Sequence, residues 1–273
     1  GEEAGKQIAI DGKTLRRSFD RAAEHKAIYM VTAWVYENHA AFGQVKVDDT
    51  SNEITAIPQL LRLLHLQDAA VTLDAMGCPK ELAKPIVDSG GRYVLGLKGN
   101  QGILHDEVSE FFDDGLARGL DAPRDTHRTV EKNHGRIEER AVWISRDVDW
   151  LRDTDKWEGL TGRMAVQSKR TINAETTTER RHYIWSGERT AKEVGEWIRH
   201  PWRVENELHW VLDVAFREDL CRIRVQDAAA NFARIRRVAL TILNQDKTAK
   251  VGIQGRRLNA AWDRQYLLRL LRV

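Results

Sequence analysis

The chain has 273 residues, of which 31% are charged and 42% hydrophobic, and its formal net charge is +2. This length allows one large domain, one domain with an insertion, or two domains, and the balance is typical of a globular protein. No apolar run approaches the roughly 18 residues that span a membrane, and Cys78 and Cys221 form no CxxC pair. The composition therefore excludes a membrane protein and a disulfide framework, and it predicts a cytoplasmic protein.

The charge is unevenly distributed along the chain. Residues 217–273 carry 13 Lys and Arg against 5 Asp and Glu, a net charge of +8, whereas residues 1–216 carry −6. A basic C-terminal region is consistent with a polyanionic partner, and equally with a solvated basic helix.

The first hundred residues predict alternating strands and helices. Strands are expected at 7–10, 27–37 and 39–47, a helix at 52–66, a strand at 69–73, a helix from 77 to about 87, and a strand at 92–97. The order is βββαβαβ. Asp11 and Asp74 each follow a strand directly, and strand ends at one edge of a mixed sheet are where side chains can converge.

Residues 101–190 interrupt this order. The pattern predicts a helix at 103–112, a polar loop rich in Asp, Arg and His, and strands at 136–144, 163–172 and 179–185. We interpret this segment as a mostly β insertion. The capping box from Thr190 to Glu193 then begins a helix that ends at about Arg199.

The next predicted helix runs from Pro201 to about residue 216, and candidate functional side chains are concentrated in it. Its neighbourhood holds five carboxylates: Glu205, Glu207, Asp213, Glu218 and Asp219. Glu205 lies at the edge of an apolar stripe, where a carboxylate is unfavourable unless a positive charge meets it. His209, four residues later, shares its helical face. Trp202 and Trp210 are expected in the core rather than as platforms for stacked bases.

A further helix is predicted from Ala228 to Gln245, with Asp227 as its cap. The apolar spacing places four side chains inside: Phe232, Ile235, Ala239 and Ile242. Arg234, Arg236 and Arg237 are expected toward its sides.

Asp11, Asp74 and Glu205 together suggest a divalent-metal site. Carboxylates that bridge metal ions can activate water and stabilise the leaving oxygen of a phosphodiester, and hard oxygen ligands suit Mg²⁺. By itself this triple is weak evidence, because the chain has 41 acids and so offers many triples.

Five segments occur in order along the chain: IAIDGKTLRRS, VTLDAMGC, YVLGLKGNQ, NHGRIEER and WRVENELHWVLDVAFRED. Together they resemble the H-repeat-associated transposases, a bacterial insertion-sequence family of the DDE transposases, from about Gln7 to the C terminus. The resemblance implies an α/β fold of the ribonuclease H-like type, a mixed sheet flanked by helices with a mostly β insertion before the last catalytic helix. The expected divisions are a catalytic core in two parts (7–100 and 191–245), an insertion (101–190) and a basic tail (246–273). The helical N-terminal domain of the family is expected to be absent.

The resemblance also implies an activity, which is Mg²⁺-dependent DNA cleavage and strand transfer at insertion-sequence ends. Asp11, Asp74 and Glu205 become the catalytic, metal-binding triad, and Mn²⁺ is expected to substitute for Mg²⁺. The implied partners are double-stranded DNA, as terminal repeats and target, and a second copy of the chain in a homodimer on DNA. The implied location is the bacterial cytoplasm, at the nucleoid. Whether a DNA hairpin forms during cleavage stays open.

Lys98, Arg136, Arg203 and His209 are further candidates for contacts with DNA. For Lys98 and Arg136, a solvated surface cation is an equal interpretation, and for His209 a packing residue is one.

Other functions fit less well. Relatives usually carry His where this chain has Pro201, so a catalytically silent or domesticated DNA-binding remnant is the alternative. A phosphate-binding loop ending at Gly12-Lys13-Thr14 would need a glycine at Gln7, and neither HExxH nor GxSxG occurs. A nucleotide-binding protein, a zinc protease and a serine hydrolase are therefore disfavoured.

Overall fold

The computed structural model describes residues 6–19, 26–47, 53–74, 80–118, 125–133, 135–173, 175–199 and 204–272. The chain divides into two compact units: residues 1–65 with 200–273 form unit one, and residues 66–199 form unit two. Both units combine helices with strands, so the predicted mixed α/β class is confirmed. Within the described ranges, no helix is both long and apolar enough to cross a membrane.

The elements follow the predicted order through the first hundred residues. Those of that region are β1 (Gln7–Thr14), β2 (Tyr29–Val35), β3 (Ala40–Val47), α1 (Glu53–Leu61), β4 (Ala70–Leu73), α2 (Ala83–Asp88) and β5 (Arg92–Leu97). Next come α3 (Ile103–Arg118), β6 (Asp125–Asn133), β7 (Arg136–Ser145), β8 (Leu160–Ile172), β9 (Glu175–Ser186) and α4 (Ala191–Arg199). The chain continues with a π-helical turn (Glu205–His209), α5 (Trp210–Ala215), α6 (Ala228–Gln245), α7 (Ile253–Trp262) and α8 (Arg264–Leu271).

In unit one, β1, β2 and β3 form an antiparallel meander, with Asp11 opposite Thr32 and a register shift at Ala33/Trp34. The apolar run of β2 is buried almost throughout, which is why it forms a central strand.

The helical segment that carries Glu205 packs on this meander through one apolar stripe. Val204, Leu208 and Leu212 recur every four residues and are almost fully buried in a cluster with Trp34 and Leu240. This spacing gives one face of a helix, as the sequence predicted. Because the buried face fixes the rotation of the helical segment about its axis, it also fixes the direction of the side chains beside that face, including Glu205.

Helix α6 has the predicted bounds but not the predicted inner face. Phe232 and Ile235, expected inside, are exposed, whereas Arg236 and Arg237 are buried. The prediction was wrong because an acid inside the fold, Glu218, binds Arg237 and turns the polar stripe inward. Asp227 occupies the predicted N-cap position, but its side chain makes no capping bond and pairs instead with Lys46 at 3.1 Å.

Unit two contains a mixed sheet. Strands β4 and β5 are parallel, as a crossover through α2 requires, and β9 joins β5 antiparallel. β9, β8, β7 and β6 then follow in antiparallel pairs. Helix α4 covers one face of this sheet, where Val194, Trp197 and Ile198 enter a core cluster with Val142 and Trp185.

Two features of unit two test the predictions directly. The capping box is confirmed, because Thr190 N–H donates to Glu193 Oε2 at 2.8 Å and Glu193 N–H donates to Thr190 Oγ1 at 3.3 Å. Part of the predicted polar loop is instead strand β6, which pairs with β7 along its whole length. Polar side chains on an edge strand with an exposed face give no hydrophobic signal, which explains the miss.

Candidate active site

Asp11 lies inside strand β1 of unit one, three residues before the strand ends at Thr14, and not directly after a strand as the sequence predicted, because the pairing with β2 continues through Thr14. The Asp11 side chain is 45% exposed, and its Oδ1 accepts a hydrogen bond from the Gly12 N–H at 2.8 Å. Gly12 has a steric role here, since an added Cβ would lie 1.9 Å from the Tyr29 hydroxyl oxygen. The strand therefore places a solvent-accessible carboxylate beside a tightly packed backbone position.

Glu205 and Asp11 meet at one histidine. His209 Nδ1 lies 3.0 Å from Glu205 Oε2 and 3.7 Å from Asp11 Oδ2. Residues 205–209 form a π-helical turn, a local widening that is frequent at functional sites. The Glu205 side chain is 72% exposed although His209 is buried, so the histidine supports the carboxylate from the protein side and leaves its other face open.

The pKa of His209 is lowered to about 4, mainly by burial, with a smaller lowering from the positive charges of Lys13 and Arg237, while Glu205 opposes the shift. The imidazole is therefore neutral at pH 7. With its single proton on Nδ1 it donates to Glu205, which orients the carboxylate. His209 Nε2 is buried and has no hydrogen-bond partner among the described residues.

A lysine that the sequence predictions did not single out connects β1 to the helix that follows Glu205. Lys13 Nζ lies 2.5 Å from Asp213 Oδ2 and 3.7 Å from Asp219 Oδ1. Lys13 shares the strand face of Asp11, two residues away, and Asp213 lies eight residues after Glu205. Arg16 also binds Asp219, at 3.2 Å. We call the Lys13–Asp213 pair the clasp, because it ties the strand of Asp11 to the helix of Glu205.

A second ion pair of unit one, between Glu218 and Arg237, is fully buried. Arg237 Nη1 and Nη2 donate to Glu218 Oε1 and Oε2 at 2.8 and 3.3 Å, and Nη1 also donates to the Ala233 carbonyl. Bidentate pairing of this kind fixes the relative orientation of two groups. The Glu218–Arg237 pair therefore fixes the turn that follows α5 against helix α6.

The five carboxylates of this region therefore differ in the side chains that bind them. Glu207 Oε2 lies 3.0 Å from His39 Nδ1 in the turn after β2, and Asp213, Glu218 and Asp219 are bound by Lys13, Arg237 and Arg16. Glu205 alone among the five contacts His209 beside Asp11. Trp210 was wrongly expected in the core, since it is 59% exposed.

The third predicted acid, Asp74, belongs to unit two. It follows β4, its side chain is 64% exposed, and Lys98 Nζ lies 3.6 Å from its Oδ2. Lys98, predicted to contact DNA, is therefore next to the predicted catalytic acid. The convergence of Asp74 with Asp11 and Glu205 stays a prediction.

The remaining candidates have different surroundings. Arg136 begins β7 and pairs with Glu138 at 3.3 Å. Arg203, Trp202 and Pro201 lie outside the described residues. Within the described part of the chain, no group of three His, Cys, Asp or Glu side chains has the arrangement of a metal site.

These features define a general class, a mixed α/β protein with two solvent-accessible carboxylates, one on a strand and one on a helical turn, that meet at a buried histidine. The model of the transposase DDE domain family matches residues 3–242, and the chain belongs to that family. The predicted resemblance to H-repeat-associated transposases is confirmed by its relatives. "H repeat-associated putative transposase YhhI" of Escherichia coli strain K12 is 42% identical over 270 residues, or 97% of this chain and 71% of that protein.

Two other similarities complete the comparison. "Putative protein YbfL" of the same strain is also 42% identical over 270 residues, covering 97% of this chain and 71% of that protein. A piggyBac transposase synaptic complex with hairpin DNA aligns with a TM-score of 0.40 and 10% identity, over 93% of this chain and 57% of that one. A score this low supports no argument about fold or function.

Proposed function

We propose that the chain is the catalytic part of a DNA transposase that cuts and joins DNA strands at insertion-sequence ends by metal-dependent phosphoryl transfer. One observation carries the proposal: His209 contacts both Glu205 and Asp11, two of the three acids expected from the family, and both acids remain accessible to solvent. An exposed pair of carboxylates held by a buried histidine is suited to binding something outside the protein.

The donor chemistry of Asp11 and Glu205 fits Mg²⁺. This ion prefers oxygen ligands and is usually held by one or two carboxylates together with substrate phosphates. When bound, it supplies Lewis-acid stabilisation of phosphate charge and a more acidic water. Asp11, Asp74 and Glu205 would hold it, with Mn²⁺ as a substitute.

The chain's own residues have separate tasks in this proposal. His209 keeps its proton on Nδ1 and orients Glu205, while the clasp holds β1 and α5 together. Lys98, 3.6 Å from Asp74, is placed to contact a phosphate near that acid. Arg136 and Arg203 are further candidates for DNA phosphates.

The proposal extends to the fold and the assembly. A ribonuclease H-like core would comprise 7–100 and 191–245, with an insertion at 101–190 and a basic tail at 246–273. The chain would act as a homodimer on double-stranded DNA, both terminal repeats and target, at the bacterial nucleoid.

Cleavage of DNA that carries the element's own ends tests the proposal. The purified chain is incubated with this DNA and with Mg²⁺ or Mn²⁺, and nicked products are resolved on a gel. We expect nicking by the wild type and its loss in Asp11→Asn, Asp74→Asn and Glu205→Gln, because a carboxamide is a poorer metal ligand. Glu207→Gln is the matched control, since Glu207 lies on the same turn but binds His39.

The outcomes separate the two functional hypotheses. Nicking that persists in Asp74→Asn would contradict the assigned role of this acid. DNA binding without any nicking, with either ion, would instead support the DNA-binding remnant.

A further inference from the structure

At one end of the sheet of unit two, strands β6 to β9 expose a row of side chains on one face. Cross-strand register places a set of side chains on this face: Thr126, Arg128, Val130 and Lys132 of β6, Ile137 and Glu139 of β7, Lys169 and Thr171 of β8, and Thr176 and Thr178 of β9. All except Thr171 are exposed. We call this surface the open face.

The cations of the open face differ from those of the opposite face. On the opposite face, Glu138 binds Arg136 and Arg140, at 3.3 and 3.1 Å, and Glu179 binds Arg181 at 2.7 Å. Glu131 on the same face binds Arg199 of α4 at 2.5 Å. The charges of these four arginines are largely neutralised within the protein, whereas Arg170, which the register also places on this face, makes no ion pair with a described residue.

On the open face, Arg128, Lys132 and Lys169 make no ion pair with any residue that the structure describes. Glu139 is the one acid among the residues that define this face. Three cations and one acid leave the face a net charge of +2. Charges that no internal partner satisfies are available to an external anion.

The spacing of these cations suits a nucleic-acid backbone. Arg128 and Lys132 lie four residues apart on β6, which separates their backbone positions by about 13 Å. Lys169 is on β8, two strands away from β6, which is about 10 Å across the sheet. The major groove of B-DNA is about 12 Å wide, so cations at this separation can reach phosphates on its two sides. The threonine hydroxyls can donate further hydrogen bonds to phosphate oxygens.

The composition of the open face argues against a protein partner. Its exposed apolar side chains are Val130 and Ile137, and Trp143, which the register places opposite Thr126 on the same face, is half-buried. The centres of protein interfaces, in contrast, are enriched in Tyr, Trp and Phe. We propose that the open face binds the phosphate backbone of duplex DNA. The choice of DNA rests on the proposed function.

Salt-dependent binding tests the inference. A fluorescein-labelled duplex of about 30 base pairs is titrated in EDTA, to prevent cleavage, at several KCl concentrations. Each phosphate contact contributes about 0.9 to the slope of log K against log [KCl]. The triple variant Arg128→Gln/Lys132→Gln/Lys169→Gln is therefore expected to reduce this slope by up to about 2.7.

A triple variant of the opposite face is the matched control. Arg140→Gln/Arg181→Gln/Arg199→Gln removes the same formal charge from the same unit, and we expect its slope to change by less than about 1. Circular dichroism of both variants verifies that each is folded.

Equal losses in the two variants, an unchanged slope in the open-face variant, or no DNA binding by the wild type would each overturn the inference. Binding that depends on the open face, without nicking in the cleavage assay, would uphold it while the proposed catalytic function fails.

Discussion

The buried Glu218–Arg237 pair allows a quantitative prediction for Arg237→Met. The two side chains are 0% and 1% exposed and share bonds of 2.8 and 3.3 Å. Methionine fills much of the space but leaves the Glu218 carboxylate without its main partner. Removing one member of a buried ion pair costs about 3–5 kcal/mol.

The second arginine near Glu218 reduces this loss. Arg236 Nη1 lies 4.0 Å from Glu218 Oε1 and can compensate part of the charge. We therefore expect a decrease of about 3 kcal/mol in the free energy of unfolding, near the lower limit of the range. This is a large part of the roughly 5–15 kcal/mol that stabilises a typical domain.

Urea unfolding at pH 7.5, followed by circular dichroism, measures the effect. The double variant Glu218→Leu/Arg237→Met removes both charges and is expected to recover most of the loss, because two apolar groups need no mutual compensation. A loss below about 1 kcal/mol in Arg237→Met, or a double variant no more stable than the single one, would refute this reasoning.

Three further predictions concern the clasp, the glycine beside Asp11 and a buried histidine of unit two. Lys13→Gln is expected to destabilise the protein by about 1.5–3 kcal/mol, the range for a charged hydrogen bond such as that with Asp213, and Lys13→Arg by less, as measured by urea unfolding. Gly12→Ala is expected to lower the melting temperature, because its Cβ would lie 1.9 Å from the Tyr29 hydroxyl oxygen. In a Tyr29→Ala background this clash is absent, so Gly12→Ala should lower the melting temperature much less there than it does in the wild type. Burial lowers the pKa of His182 from 6.5 to about 4, so only the unfolded chain gains this proton as pH falls from about 6.5 to 4. The contribution of His182 to stability should therefore decrease by up to about 3 kcal/mol over that window and be retained above it, and an equally steep pH dependence of unfolding in His182→Phe would contradict the assignment.

Regular periodicity and local signals were sufficient for much of the fold. The order βββαβαβ follows from apolar runs and turn residues, and the Thr190–Glu193 capping box marks a helix start with groups only three residues apart. Such interactions depend on neighbours in the chain, which is why the sequence reveals them. Strand β6 was missed because an exposed edge strand has no continuous apolar pattern.

Charged side chains were harder to place. The sequence grouped Asp11, Asp74 and Glu205 and placed His209 on the helical face of Glu205. The structure brings Asp11 and Glu205 to His209, and the place of Asp74 beside them stays a prediction. Nothing local indicated that Lys13 would bind Asp213, 200 residues away, or that Arg237 would be buried against Glu218. The sequence alone therefore determined the family and most elements, because hydrophobic periodicity and motif order are local properties. Only the tertiary structure decided which charges are paired and buried and which are exposed without an ion pair among the described residues, because an ion pair depends on the distance between groups that the chain itself keeps far apart.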